Sequence, residues 1–233
     1  MSQYQVNRIP HTIDVISFDL DDTLWPCMQT IMHAEEQLMR WLALRARKLT
    51  EVHSVHSLRE HRRELARQEP AIAHDLNLLR ETQLRQLLQE FNHDPDIASE
   101  AVDHFQQFRN LVDPYPDVMP ALTRLKTQYT LVSVTNGTTE IDKTPLKGVF
   151  DHSFNAKQAG HAKPHPAIFE RVVEITGSAP RQILHIGDDP VRDVDSARNF
   201  GLHALWLNRH AIAWPDEIEK ADIEITSLSE LQG

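Results

Sequence analysis

One segment, IDVISFDLDDTLWP at positions 13–26, limits what this chain can fold into more than any other. It begins with a short apolar run, rich in β-branched residues, which is typical of a strand buried on both faces of a parallel sheet. Three carboxylates follow within four residues, on Asp19, Asp21 and Asp22. Because alternate residues of an extended chain point to the same side, Asp19 and Asp21 would point the same way if the chain stays extended.

These carboxylates predict a cation site. Two like charges held this close are costly unless a cation lies beside them. A hard divalent ion such as Mg²⁺ takes oxygen ligands and keeps coordination positions for water and for a substrate phosphate. We therefore expect a divalent cation at the end of the first strand, next to Asp19 and Asp21.

Beyond a proline-marked joint at 113–116, the pattern alternates between strands and helices. The predicted strands are 130–134, 149–154, 183–186 and 203–207, and the predicted helices are 118–125, 167–176 and 191–200. Gly177 follows the second of these helices in the position of a C-terminal cap. Such alternation indicates an α/β domain, with a parallel sheet and helices on both of its faces.

The stretch between the first strand and this joint is helical in pattern. Residues 28–112 predict a bundle of about four helices, the last of which begins with Asp94 as its N-cap and Pro95 in its first position. We therefore assign 1–26 and 113–233 to the α/β core and 27–112 to an inserted helical domain. The insertion leaves the sheet at the carboxyl edge of the first strand, where open α/β sheets bind ligands and where a lid can exclude water.

Four short motifs resemble, in the same order, those of the haloacid dehalogenase-like (HAD) superfamily. They are DLDDTL at 19–24, VSVTNG at 132–137, KPHP at 163–166, and ILHIGDD at 183–189 with Asp193 beyond it. The resemblance implies a Rossmann-like core with an inserted helical domain of the kind called a C1 cap. It also implies a Mg²⁺-dependent phosphatase that hydrolyses phosphate monoesters through an aspartyl-phosphate.

The same resemblance assigns roles to residues of the motifs. Asp19 would be the nucleophile, and Asp21 the general acid that protonates the leaving alcohol and later activates water. The Asp19 carboxylate, the Asp21 backbone carbonyl and the Asp188 carboxylate would hold Mg²⁺. Thr135 and Lys163 would bind the phosphoryl oxygens as negative charge develops.

Other motif residues have two interpretations each. In the family, the backbone N–H of Asn136 helps to hold phosphate, while its side chain is suited to cap the following turn. Asp22 and Asp189 are either metal neighbours or acceptors that cap loops. Asp193 is better suited to orient Lys163 or a metal-bound water than to ligate the metal itself.

The type of reaction depends on few residues. A 2-haloacid dehalogenase of this superfamily lacks the second aspartate of the first motif, so Asp21 favours phosphoryl chemistry. A phosphonatase needs a lysine in the cap, where Lys48 stands alone among ten arginines. Sugar phosphomutases share these motifs and stay open as an alternative, as does a module that binds phosphate without turnover.

The substrate prediction depends on the cap. Residues 70–76 with Arg80 resemble a cap segment of bacterial phosphatases that act on flavin mononucleotide and on the ribityl phosphate precursor of riboflavin. His74, Asp75 and Arg80 are therefore candidate specificity residues, with Arg80 placed to pair with an anionic or carbonyl-rich group. They are equally suited to tie cap helices together, and pyrimidine nucleotides and small sugar phosphates stay open as substrates.

Composition excludes several other functions. A formal net charge of −10 argues against a nucleic-acid partner, which needs clustered cations. The chain has no apolar run of membrane-spanning length, no signal-peptide pattern after Met1, and one cysteine, Cys27, so we expect neither a span nor an intrachain disulfide. The expected partner is a small phosphorylated metabolite and the expected location is the cytoplasm. The sequence makes no prediction of oligomeric state.

Overall fold

The structure is a computed structural model that describes residues 9–231. In this structure, the first strand belongs to a six-stranded parallel sheet. The strands are β1 (Val15–Phe18), β2 (Thr130–Thr135), β3 (His152–Asn155), β4 (Ile183–Gly187), β5 (His203–Leu207) and β6 (Glu224–Ile225). Their order across the sheet is β3-β2-β1-β4-β5-β6, and each neighbouring pair is parallel. The predicted α/β fold class is confirmed.

β1 lies between β2 and β4, the two strands that carry the second and fourth motifs. Val15 aligns with Thr130 on one side and with Ile183 on the other. All four residues of β1 are buried. Because successive residues of a strand point to opposite faces, this burial means that both faces of the sheet are covered, as the uninterrupted apolar run predicts.

The segment after the first motif is helical, as predicted, but it contains five helices in the described structure rather than four. They are α1 (Cys27–Arg45), α2 (Arg47–Val52), α3 (Val55–Gln68), α4 (Leu76–Glu90) and α5 (Ile97–Arg109). The backbone at Ala46 leaves the helical region, which separates α1 from α2. The helices enclose their own apolar core, in which the side chains of Leu42, Leu88 and Phe105 are at most 2% exposed.

The predicted start of the last of these helices is wrong by two residues. Asp96 occupies the N-cap position of α5, and its side chain makes no capping hydrogen bond. The Asp94 carboxylate instead accepts a hydrogen bond from the Asp96 backbone N–H at 2.9 Å. Asp94 thus closes the turn that precedes the helix, as aspartate does in Asx-turns.

The α/β part contains four further helices in the described residues. They are α6 (Val118–Leu125), α7 (Ala156–Ala159), α8 (Ala167–Thr176) and α9 (Ser196–Phe200). The C-terminal cap at Gly177 is confirmed, since its φ of 68° lies in the left-handed region that glycine adopts without strain. The predicted helix 191–200 begins instead as a π-helical turn, Pro190–Asp195. Within the described residues, no helix is both long and apolar enough to cross a membrane.

The chain divides into two units. One contains the chain up to Pro26, Asp113–Gly137 and the chain from Pro145 onward, and the other contains Cys27–Val112 with Thr138–Thr144. The sequence pattern predicts that 138–144 belong to the core. The structure groups this loop with the helices because α5 and the residue after it bind the loop. Gln106 donates to the Thr138 carbonyl, and the Asn110 side chain accepts from the Glu140 N–H at 2.9 Å.

A half-buried ion pair connects three distant parts of the α/β unit. The Asp117 carboxylate accepts from the Arg209 guanidinium at 3.0 Å and from the Ser227 hydroxyl and the Leu228 N–H at 2.7 Å each. Burial alone would raise the pKa of Asp117, but these donors together hold it below its ordinary value. Arg209 also donates to the Thr23 carbonyl at 2.8 Å, so this pair supports the turn of the first motif.

We expect Asp117→Ala to lower the free energy of unfolding by about 2 to 3 kcal/mol, because it leaves the largely buried Arg209 guanidinium without its counter-charge. Urea unfolding followed by circular dichroism measures the change. Asp216→Ala is the matched control, since Asp216 is exposed and should change stability by less than about 0.5 kcal/mol. Equal stability of the two variants would contradict the assigned role of the pair.

Candidate active site

The predicted site residues lie where neighbouring parallel strands end. Asp19 directly follows β1, Thr135 is the last residue of β2, and Asp188 directly follows β4. Lys163 comes from the loop that precedes α8. Because the carboxyl ends of parallel strands meet at one edge of the sheet, residues more than a hundred positions apart converge there.

Lys163 is the positive centre of this group. Its Nζ donates to Asp19 Oδ1 at 2.7 Å, to Asp193 Oδ1 at 2.6 Å and to the Val134 carbonyl at 3.1 Å. The residue is 3% exposed. Burial alone would lower the pKa of Lys163, but the two carboxylates raise it above its ordinary value, so the ammonium stays charged. The predicted relation between Asp193 and Lys163 is thus present in the structure.

Negative charge exceeds positive charge around this lysine. Carboxylate oxygens of Asp19, Asp188 and Asp193 lie within 4.8 Å of one another. Burial, more than the neighbouring carboxylates, raises the pKa of Asp19 well above its ordinary value, and burial followed by the charges of Asp193 and Asp22 raises the pKa of Asp188 to about 7. With all three carboxylates ionised, one ammonium leaves two negative charges unbalanced. An all-oxygen donor set with this deficit fits a hard divalent cation.

Asp193 belongs to this acidic group and also orients Lys163. Burial alone would raise its pKa, but the Lys163 ammonium and the hydrogen bond from His185 hold it below the ordinary value. Its second oxygen accepts from the Asp189 N–H at 3.0 Å. The Asp189 carboxylate itself caps the following turn, since it accepts from Val191 N–H at 2.9 Å and Arg192 N–H at 2.8 Å. The loop-cap interpretation of Asp189 therefore matches its contacts.

A turn begins directly after Asp21. Asp22 has a φ of 61°, and its N–H donates to the Trp25 carbonyl at 2.8 Å. The Trp25 indole N–H donates to Asp21 Oδ1 at 2.9 Å, which fixes the direction of that carboxylate. The common direction of Asp19 and Asp21 stays a prediction.

Thr23, which received no role in the sequence analysis, joins two carboxylates. Its hydroxyl lies 3.2 Å from Asp19 Oδ2 and 3.1 Å from Asp188 Oδ1, and it can donate to either. The side chain is fully buried. A threonine four residues after the first aspartate of the motif is the sequence signal that corresponds to this contact.

Asn136 acts at long range rather than as a local cap. Its side-chain oxygen accepts from the Lys163 N–H at 2.7 Å, and its side-chain nitrogen donates to the Lys163 carbonyl at 2.9 Å. The capping interpretation of this side chain is therefore wrong. The turn after β2 is closed instead by Thr135, whose hydroxyl accepts from the Gly137 N–H at 2.9 Å. Asn136 fixes the backbone that carries Lys163.

A buried histidine supports Asp193 from inside the sheet, and sequence reasoning gave it no role. His185 Nδ1 lies 2.9 Å from the Ser17 hydroxyl on β1, and His185 Nε2 lies 3.3 Å from Asp193 Oδ1. Burial is the main cause that lowers the pKa of His185, so the ring is neutral near pH 7. The signal in the sequence was a histidine in an otherwise apolar strand, ILHIG.

The glycine after this strand is a steric requirement of the same arrangement. A Cβ at Gly187 would lie 2.3 Å from Cγ of Asp193. Real Cβ atoms essentially never come that close to another heavy atom. Any larger residue at 187 would therefore displace Asp193 from Lys163.

The three candidate cap residues lie in the helical unit. Asp75 is the N-cap of α4, and its carboxylate accepts from the Leu78 N–H at 3.1 Å. His74 lies in the turn before this cap and is half-buried. Arg80 is 5% exposed, and its guanidinium lies 3.4 Å from the ring centroid of Phe105. A structural role within the cap explains the capping contact of Asp75. The contact of Arg80 with Phe105 does not by itself explain why a guanidinium is buried there.

Comparisons with known proteins identify relatives of this chain. A family model described as haloacid dehalogenase-like hydrolase matches residues 13–201. The 5-amino-6-(5-phospho-D-ribitylamino)uracil phosphatase YigB of Escherichia coli is 26% identical over 199 residues, which cover 84% of this chain and 83% of that protein. The phosphoserine phosphatase of Thermus thermophilus is 28% identical over 158 residues, covering 65% and 63%.

Solved structures agree on the fold but differ in the reaction named. A crystal structure of a 2-haloacid dehalogenase from Pseudomonas syringae pv. Tomato superposes with a TM-score of 0.86 at 33% identity, over 94% of this chain and 96% of that one. A HAD phosphatase from Thermococcus onnurineus superposes with a TM-score of 0.68 at 28% identity, over 94% and 95%. The residues of the site must therefore decide between the two reactions.

We expect His185→Phe to lower the free energy of unfolding by about 1 to 3 kcal/mol, because it removes a donor to the buried Asp193 carboxylate and a partner of Ser17. Urea unfolding gives the value. Ser17→Ala is the matched variant, since it removes one of the two hydrogen bonds and leaves the Asp193 contact in place, and it should cost less. A His185→Phe protein as stable as the wild type would show that this contact contributes nothing.

Proposed function

The chain belongs to the haloacid dehalogenase-like hydrolase family, and we propose that it is a phosphatase of that family, which hydrolyses a small phosphate monoester through an aspartyl-phosphate on Asp19. One observation carries this proposal. The nucleophile candidate Asp19 contacts a buried, charged Lys163 at 2.7 Å. Asp21, two positions further along the chain, provides a second carboxylate, whose direction is fixed by a hydrogen bond from Trp25.

The second carboxylate favours phosphoryl transfer over dehalogenation. Cleavage of a phosphate ester expels an alkoxide, which needs a proton from an acid near the leaving oxygen. A halide ion leaves without one, so a dehalogenase has no use for Asp21. The likeness to the Pseudomonas dehalogenase extends over the fold, whereas the phosphatase names of the E. coli and Thermus relatives agree with the residues of this site.

The chemistry proceeds in two steps. An oxygen of Asp19 forms a bond to phosphorus while the bond to the ester oxygen breaks, and Asp21, as the general acid, gives a proton to the leaving alkoxide. Asp21 then takes a proton from a water molecule whose oxygen attacks phosphorus. The bond to Asp19 breaks, and inorganic phosphate is released. Lys163 and Thr135 hold the phosphoryl oxygens as charge develops on them.

Mg²⁺ is the cofactor that this donor set supports. Asp19, Asp188 and the backbone carbonyl of Asp21 would hold it, and Asp193 would orient Lys163 or a metal-bound water. When bound, the cation offsets the repulsion between the carboxylates and the phosphoryl group. The proposal rests on the proximity of Asp19, Asp188 and Asp193 and on the raised pKa values of the first two.

Flavin mononucleotide or a ribityl phosphate is the substrate that we propose to test first. The match to the E. coli phosphatase of a ribitylamino-uracil phosphate covers most of both chains and supports this choice. Nucleotide and sugar monophosphates are the alternatives, because a pyrimidine 5'-nucleotidase of E. coli is 27% identical over 150 residues. A cytoplasmic location stays a prediction from composition.

The phosphatase proposal is tested by phosphate release from a panel of monoesters that includes flavin mononucleotide, phosphoserine and a pyrimidine nucleotide. We expect Mg²⁺-dependent release that falls by roughly a thousandfold or more in Asp19→Asn, because the variant lacks the nucleophile. Asp216→Asn, at an exposed site, should retain full activity. No release from any monoester, or equal rates in Asp19→Asn and wild type, would refute the proposal.

The raised pKa of Asp188 gives the binding of Mg²⁺ a pH dependence. A proton competes with the cation for a carboxylate, and with a pKa of about 7 this carboxylate is mostly protonated at pH 6 and mostly ionised at pH 8. We therefore expect the apparent affinity for Mg²⁺ to rise about tenfold from pH 6 to pH 8. Isothermal titration calorimetry in buffers of different ionisation enthalpy counts the protons released. An affinity that is independent of pH, with no proton release, would contradict this assignment.

A further inference from the structure

The helical unit contains a second charged cluster, which has the opposite sign. Glu35 of α1 is 4% exposed and lies between three arginines of α3 and α4. Its carboxylate accepts from Arg59 Nε through one oxygen and from Arg62 at 2.7 Å through the other. The guanidinium of Arg80 lies 4.0 Å from the same carboxylate, which is too far for a hydrogen bond.

The charges of this cluster do not balance. Three guanidinium groups surround one carboxylate. Burial is the main cause that lowers the pKa of Arg80 well below its ordinary value, repulsion by Arg62 adds to it, and the attraction of Glu35 opposes it. Arg80 Nε has no hydrogen-bond partner among the described residues. A buried cation in this condition costs free energy unless a counter-charge arrives.

A structural role explains only part of the cluster. Arg62 bonds to Glu35 and to the side-chain oxygen of Gln83 at 3.1 Å, and this set is sufficient to connect α1, α3 and α4. Arg80 adds a cation to this satisfied pair and packs on Phe105. An apolar side chain there would pack on the same ring without a desolvation cost, because apolar replacements of buried charges are often neutral or stabilising.

The cluster can be reached from solvent. The side chains of Arg59 and Arg62 are 21% and 16% exposed, while that of Arg80 is 7% exposed. A guanidinium presents a planar fork of donors that matches carboxylate and phosphate oxygens, so a small oxyanion is the ligand that these groups fit.

We propose that Arg80, together with Arg59 and Arg62, forms an oxyanion-binding site in the helical unit, which takes a carboxylate or a phosphate-like group. The site provides two positive charges beyond the one that Glu35 neutralises. The ligand that we propose is a free oxyanion of this kind.

Binding is tested directly with malonate, a dicarboxylate, in Mg²⁺-free buffer. Under this condition the group of Asp19, Asp188 and Asp193 carries excess negative charge and does not favour the probe. We expect calorimetric binding and a rise in melting temperature for the wild type, with affinity at least about tenfold weaker in Arg80→Met. Arg85→Met is the matched control, because Arg85 lies on the same helix, is partly exposed and pairs with Glu81 and Asp96.

Stability without added anion separates this proposal from a purely structural role. If the role of Arg80 is to bind an anion from solution, Arg80→Met should be as stable as the wild type or more stable. Arg80→Lys should retain part of the malonate binding. A large loss of stability in Arg80→Met, or malonate binding equal to that of the wild type, would overturn the proposal. Failure of the wild type to bind millimolar malonate would overturn it as well.

Malonate binding needs no turnover, so a failure of this proposal and a failure of the proposed phosphatase function can be told apart.

Discussion

The active-site region depends on one electrostatic balance. The carboxylates of Asp19, Asp188 and Asp193 converge beyond the ends of β1 and β4, and the Lys163 ammonium lies among them; Asp19 and Asp193 are buried and Asp188 is partly buried. With all three carboxylates ionised, Lys163 neutralises one negative charge and leaves two unpaired. In the proposed function, this excess favours a divalent cation and, through it, a phosphoryl group.

The sheet supplies the geometry that makes this balance possible. β1 lies in the middle, so Asp19 comes next to residues that follow or end both neighbouring strands. Contacts that involve no reacting atom then fix each charge: Asn136 holds the backbone of Lys163, His185 donates to Asp193, and the absence of a side chain at Gly187 leaves room for Asp193. These supports explain why so many polar groups of this unit are buried.

The helical unit shows the reverse imbalance, with buried arginines in excess of carboxylates around Glu35. Its apolar core, between α1, α4 and α5, would form without these groups. Each unit therefore contains buried charge that its own residues do not neutralise, negative in one and positive in the other. The ligands that we propose carry the opposite charge in each case: a divalent cation in the first unit and an oxyanion in the second.

The sequence by itself determined the parallel sheet, the inserted helices and the four motifs that meet at the ends of the strands, because strand burial, helical periodicity and motifs are local patterns. Only the tertiary structure decided what each polar side chain does. Asn136 binds backbone 27 residues away, His185 contacts Ser17 from 168 residues away, and Thr23 contacts Asp188 from 165 residues away. Such partners depend on which strands are neighbours, and periodicity along the chain contains no information on that order.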